Sequence, residues 1–233
     1  MTSIDPSQTI GSLVVEHHAA ARVFERFGLD YCCGGKRTLL ESCASRGVRV
    51  EEVVAALELA LDSHPDLVTR WDELPVDALA SAIEAAHHGV TRDCLAHLVP
   101  LADKVFRVHG ERHPELAAVR RIVRDLDVEL RQHLEKEERV LFPAISALAA
   151  NHGAYAGMDL RGPIAVMRAE HVLVGELLEE LREVTDAFSP PEDACTSYRV
   201  LYLGLVAFAA DLRTHIHLEN FVLFPKVEAV AAS

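Results

Sequence analysis

The sequence predicts an all-α protein: a small N-terminal helical domain followed by an up-down-up-down four-helix bundle. Three observations predict it. Apolar residues recur at helical spacing almost throughout, no run alternates with period two, and short loops separate the long amphipathic stretches of the second half.

In chain order, SLVVEHHAAARVFERF (12–27) is expected to form one helix, capped by Ser12 and ended by Gly28. After the turn CCGG, KRTLLESCASRG reads as a second short helix stopped by Gly47, and VEEVVAALELALDS as a third. Together they define a domain over residues 1–62. SHPDLVTRWDELPVD then supplies a linker (63–76), with Pro65 and Pro75 bracketing the only tryptophan. Residues 77–233 form the bundle. Its helices are predicted over about 76–108, kinked at Pro100, about 114–149, ending near NHGAYAG, about 163–188 and about 192–229.

The totals narrow the function. Half of the 233 residues are hydrophobic, so a packed core is available. The formal charge of −13 repels phosphate backbones and anionic lipid, which argues against nucleic acid and membrane partners. The N-terminus has no basic patch leading into an apolar run, and no stretch of about 18 apolar residues follows, so a cytoplasmic protein is expected. Five scattered cysteines suit free thiols better than a disulfide framework. The 13 histidines are the compositional oddity.

Those histidines are patterned. HLEKEERVLFP (133–143) and HIHLENFVLFP (215–225) agree at six of eleven positions. Each begins with His and carries Glu four residues later, which places both side chains on one helix face about 5–6 Å apart. His88 and His171, in AAHH and RAEH, repeat at a similar interval. With a rise of about 1.5 Å per residue, His88, His133, Glu137, His171, His215 and Glu219 fall within two turns of one level of an antiparallel bundle. Four imidazoles and two carboxylates at mid-bundle suit two metal ions, with carboxylates able to bridge. Nitrogen and oxygen donors without thiolate favour iron or manganese, and four histidines make iron the better choice. The ferritin-like carboxylate proteins use Glu-x-x-His instead. His109 fails the test of level, and His87 and His217 point to other faces and read as surface. Glu129 and Glu170 lie beside His133 and His171 as candidate supporting carboxylates, or as solvated ones.

The His88, His133-x-x-x-Glu137, His171 and His215-x-x-x-Glu219 set, each pair followed by LFP, resembles a hemerythrin-like domain. DYCCGGKRTL resembles the short domain that precedes it in the bacterial iron–sulphur cluster repair di-iron proteins, the "repair of iron centres" family. The resemblance implies a cytoplasmic, often homodimeric protein with an oxo-bridged centre of two iron ions. The six residues would be its ligands, with Glu137 and Glu219 bridging. It implies a role in restoring iron–sulphur clusters damaged by nitric oxide or oxidants, through iron delivery, or through nitric oxide binding and reduction. Its partners would be damaged iron–sulphur proteins, with nitric oxide or dioxygen as small ligand. A hemerythrin-type carrier or sensor is the alternative, and a metal-free helical interaction module a third.

The adjacent Cys32 and Cys33 would not bond each other without straining the amide between them. They are expected at the N-terminus of a short helix, where amide groups, Lys36 and Arg37 would favour thiolate. Beside a di-iron bundle they read as thiols that pass iron, nitric oxide or electrons. Cys43, Cys94 and Cys195 read as packing residues.

Overall fold

The computed structural model describes residues 4–63, 70–150 and 159–231. The NHGAYAG stretch and residues 64–69 of the linker lie outside them. Among the described residues the chain is helical, and its sole β feature is the isolated bridge between Thr9 and Thr38. Two compact units divide it: Met1–Pro75 with Arg213–Ala229, and Val76–Leu212 with Val230–Ser233.

In the first unit the predicted helix over 12–27 is two helices, α1 (Ile10–Glu16) and α2 (Ala19–Phe27), interrupted at His17. Thr9, not Ser12, caps α1: its side-chain oxygen accepts from the Ser12 N–H. Gly28 does end α2, at φ 66°, a left-handed conformation that suits glycine. α3 (Leu39–Arg46) opens with a reciprocal capping box, Thr38 receiving the Glu41 N–H and Glu41 receiving the Thr38 N–H. Gly47 stops it, and α4 (Val50–Ser63) follows. Ile10, Leu13, Phe24, Tyr31, Leu39, Cys43, Val53 and Leu57 form the buried core. A short 3₁₀ turn, Trp71–Glu73, accepts the Lys226 ammonium on its Asp72 carbonyl.

The second unit contains α5 (Val76–Ile83), α6 (Gly89–His109), α7 (Glu115–Lys136), α8 (Phe142–Ala150) and α9 (Arg161–Val184). It also holds α10 (Thr196–His217) as far as Leu212. α6 packs on α7, α7 on α9 and α5 on α8. Leu79, Ile83, Leu126, Leu130, Leu178, Leu201 and Leu205 are buried in the contacts between helices. α9 ends four residues before the predicted 188. Asp186, Ala187 and Phe188 all take positive φ, which no right-handed helix can continue. Thr185 supports the reversal, its hydroxyl donating to the Leu181 carbonyl and accepting the Phe188 N–H.

Three segments leave the α geometry for the wider i→i+5 turn: Glu84–His88, Glu137–Leu141 and Leu218–Leu223. Each contains one of the predicted ligands, His88, Glu137 or Glu219. Such turns cost helical hydrogen bonds and concentrate at functional sites.

Candidate metal centre

In the second unit four of the predicted residues converge. Glu137, which begins a wide turn, is fully buried. Its Oε2 lies 3.5 Å from His88 Nε2, and its Oε1 lies 3.2 Å from His133 Nε2. His171, from the middle of α9, brings its Nε2 to 3.2 Å from that of His133, the two rings being tilted 62°. His88, His133 and His171 are each at most 2% exposed. Ligand atoms of His133, Glu137 and His171 all lie within 4.8 Å of one another.

The outward nitrogens of two of these rings meet carboxylates. His88 Nδ1 is 2.7 Å from Glu138 Oε1, and His133 Nδ1 is 2.9 Å from Glu170 Oε2. A cation backs each carboxylate in turn, Arg92 on Glu138 and Lys136 on Glu170. The hydrogen bond from His133, with help from Lys136 and against burial, holds the Glu170 carboxyl at about 2. Burial pulls the Glu138 carboxyl up, but the bonds from His88 and Arg92 more than offset it and leave it below its usual value. Both carboxylates are therefore anionic acceptors, which makes Nδ1 the protonated nitrogen and turns the Nε2 lone pair inward. Glu138 escaped the sequence reading because the second copy of the repeat has Asn220 there. Glu129 is half-buried on α7, one turn before His133, whereas the carboxylate on His133 Nδ1 is that of Glu170.

In the first unit the second copy repeats the pair. His215 Nε2 is 3.3 Å from Glu219 Oε1, and both residues are fully buried. Around them the copy turns to the N-terminal loop. His217 Nδ1 lies 3.4 Å from the Tyr31 carbonyl, which can only accept, so Nδ1 carries the proton. The His217 ring stacks on Phe221 and meets Tyr31 edge-on. Burial lowers the His217 pKa to about 4, so the ring is neutral. Asn220 donates to the Cys32 carbonyl at 3.0 Å.

Several expectations are corrected here. His217 is 1% exposed and His87 is 7% exposed, its Nδ1 2.9 Å from Asp211, so neither is a surface residue. His109 is likewise buried, against Tyr198, with Nε2 3.1 Å from Cys195. Cys195 is exposed and does not serve as core packing. Cys32 and Cys33 do not begin a helix; the next one starts at Leu39, six residues beyond Cys33. Nor is Cys32 poised as a thiolate. The contact with Cys33, burial and the nearby Asp30 carboxylate all push its thiol well up.

Carboxylate and imidazole, fully buried and with no thiolate among them, make a donor set that suits a hard to borderline cation. Burying a carboxylate at this depth is costly unless positive charge compensates it. The residues therefore fit a metal ion.

Comparison with known proteins gives the class. Residues 79–227 match the Hemerythrin family, described as the hemerythrin HHE cation binding domain, and residues 6–61 match a Domain of Unknown function (DUF542). The chain is 38% identical over 220 residues to the iron-sulfur cluster repair protein YtfE of Yersinia pseudotuberculosis serotype IB (strain PB1/+). The match covers 94% of this chain and 96% of that one. YtfE of Yersinia pestis (strain Pestoides F) matches at the same identity and coverage. The chain thus belongs to the hemerythrin family and, within it, to the group of YtfE iron-sulfur cluster repair proteins. Among the described residues no helix is long and apolar enough to cross a membrane.

Proposed function

We propose that this protein repairs iron–sulphur clusters and that its resident cofactor is a pair of iron ions. His88, His133, His171 and His215 would be terminal ligands, and Glu137 and Glu219 would bridge. The observation that carries the reading is Glu137: it turns one oxygen toward His88 and the other toward His133, as a carboxylate spanning two ions does. The identical spacing of His215 and Glu219, with a similar contact distance, supports assigning the second copy the same task.

When bound, the iron pair supplies reversible one-electron chemistry and positions for a small ligand such as nitric oxide or dioxygen. The protein's own residues do the rest. Glu138 and Glu170 hold the Nδ1 protons and so fix ring orientation and basicity. The buried apolar surroundings exclude water, and Cys32 and Cys33 act as the thiols of transfer. The working setting is the cytoplasm, the protein is a homodimer, and its clients are iron–sulphur proteins damaged by nitric oxide or oxidants. The names of the relatives and the family match support the repair role and the cation site. The acidic sequence fits a setting away from nucleic acid and membranes, and the dimer follows only from the resemblance of the sequence to its family. Along the sequence, domain limits of 1–62 and 77–233, joined by a linker, belong to the same reading, although residues 213–229 fall in the first compact unit.

Two measurements test it. Purified protein should hold about two irons per chain, with an oxo-bridge absorption band, and should restore activity to an iron–sulphur enzyme inactivated by nitric oxide. Iron retained undiminished in both Glu137→Gln and Glu219→Gln would refute the ligand assignment. Full iron without any restored client activity would leave a carrier or sensor.

A further inference from the structure

We infer that Asp30, Cys32 and Cys33 form a cation site of their own, for one thiophilic divalent ion. The inference deepens the thiol-transfer part of the proposed function by naming what the thiols hold. Ligand atoms of the three residues lie within 4.8 Å of one another. The two sulphurs are 3.7 Å apart. Two thiolates at about 2.3 Å from a tetrahedral ion lie about 3.8 Å apart, so the pair is already spaced to chelate. Cys32 Sγ donates to Asp30 Oδ1 at 3.1 Å. An ion taking the place of that proton needs the sulphur and oxygen to open to about 3.5 Å, a shift of a few tenths of an ångström.

The carboxylate is held in place for this. Oδ1 accepts the N–H groups of Cys32 and Cys33, and Oδ2 accepts that of Gly34 at 2.8 Å. A Cβ at Gly34 would come within 3.1 Å of Oδ2, so glycine leaves that flank open. Behind the loop, Asn220 and His217 anchor the carbonyls of Cys32 and Tyr31. Exposure is graded: Cys32 is buried, Cys33 is half-buried and Asp30 is exposed. A bound ion would have three protein ligands and one side open to solvent, the arrangement of a site that exchanges its ion instead of a closed structural one. Two thiolates and one carboxylate also select a softer ion than the imidazole–carboxylate set does. Binding forms two metal–sulphur bonds and one metal–oxygen bond in place of bonds from the hydrated ion to water, and releases those waters and one proton from each thiol to solvent.

The test uses the full chain, stripped of metal, reduced and titrated with cobalt(II) without oxygen. Thiolate ligation gives a sulphur-to-cobalt charge-transfer band in the near ultraviolet, which histidine and glutamate do not give. The expected result is such a band whose final intensity corresponds to one thiolate-bound cobalt per chain, absent in Cys33→Ser and needing about tenfold more cobalt in Asp30→Asn. It should persist in Glu137→Gln with Glu219→Gln, so that failure of the bundle assignment and failure of this one are separate outcomes. Asp30→Asn also disturbs the loop, whereas Cys33→Ser should leave the far-ultraviolet circular dichroism unchanged. No charge-transfer band in the wild type, or a band unaltered in both variants, overturns the inference.

Discussion

The two copies of the repeat, residues 133–143 and 215–225, share the leading His, the Glu four residues later and the closing VLFP, and differ at the five other positions. In the first copy Glu135, Lys136 and Val140 are exposed, and Lys136 and Glu138 serve the carboxylate–histidine contacts of the site. In the second copy the equivalent His217, Leu218 and Val222 are buried. Where the first has Glu138 and Arg139, the second has Asn220, bonded to the Cys32 carbonyl, and Phe221. That ring lies so close to Gly11 and Gly35 that a Cβ on either would approach it to 2.4–2.5 Å. One helical register has thus been divided between two tasks. The positions that recur present imidazole and carboxylate, and the positions that vary decide whether the rest of the turn meets water and counter-ions or the N-terminal loop.

This contrast can be broken from either side. The largest effect is expected at the shared positions: Glu137→Ala should abolish iron retention, measured by metal analysis, and lower the thermal midpoint by removing the stabilisation that a bound ion confers. Converting the second copy toward the first, with Asn220→Glu and Phe221→Arg together, should destabilise the first unit by about 2–4 kcal/mol and speed alkylation of Cys33. Chemical denaturation and mass-spectrometric labelling would read both. Across the same contact, Gly35→Ala should cost about 1–3 kcal/mol, since its Cβ would sit 2.2 Å from the Tyr31 carbonyl oxygen and 2.5 Å from the Phe221 ring. Substitutions of the carboxylates that meet His88 and His133 should do the reverse, leaving the loop alone. Glu138→Gln and Glu170→Gln are each expected to weaken metal affinity by about 10–100-fold, measured by competition with a chelator, with no change in Cys33 labelling. The smallest effect belongs to Thr38→Ala, about 1 kcal/mol from the lost capping box. A loss of iron after the Asn220 and Phe221 changes equal to that after Glu137→Ala would show that the two tasks are not separable.

Much of this was legible because it is periodic. The Gly28 and Gly47 stops, most of the helical spans from residue 76 onward and the two recurring His–Glu pairs all follow from glycine placement, apolar spacing and an internal repeat. What was not legible depends on contacts between segments far apart in sequence. His217 carries no signal that it will be buried, because its partner Tyr31 is 186 residues away. Glu138 differs from its counterpart in the repeat, so repetition could not flag it, and its role follows from the wide turn that brings it against His88. The thiolate expectation for Cys32 failed because it assumed a helix start, whereas the loop instead folds around the Asp30 carboxylate. The break at His17, where the backbone turns extended at φ −139° and ψ 90°, falls inside a continuous helical pattern and carries no glycine or proline to announce it.

The first unit is assembled from two stretches of chain, Met1–Pro75 and Arg213–Ala229, separated in sequence by residues 76–212 of the second unit. Dissection by sequence is therefore the wrong operation on this molecule. Expressing residues 1–75 alone would strand Gly11 and Gly35 without Phe221 and leave the Cys32 carbonyl without Asn220. A peptide spanning 213–229, supplied in trans, is the missing half of that fragment, much as a cofactor is for an apoprotein.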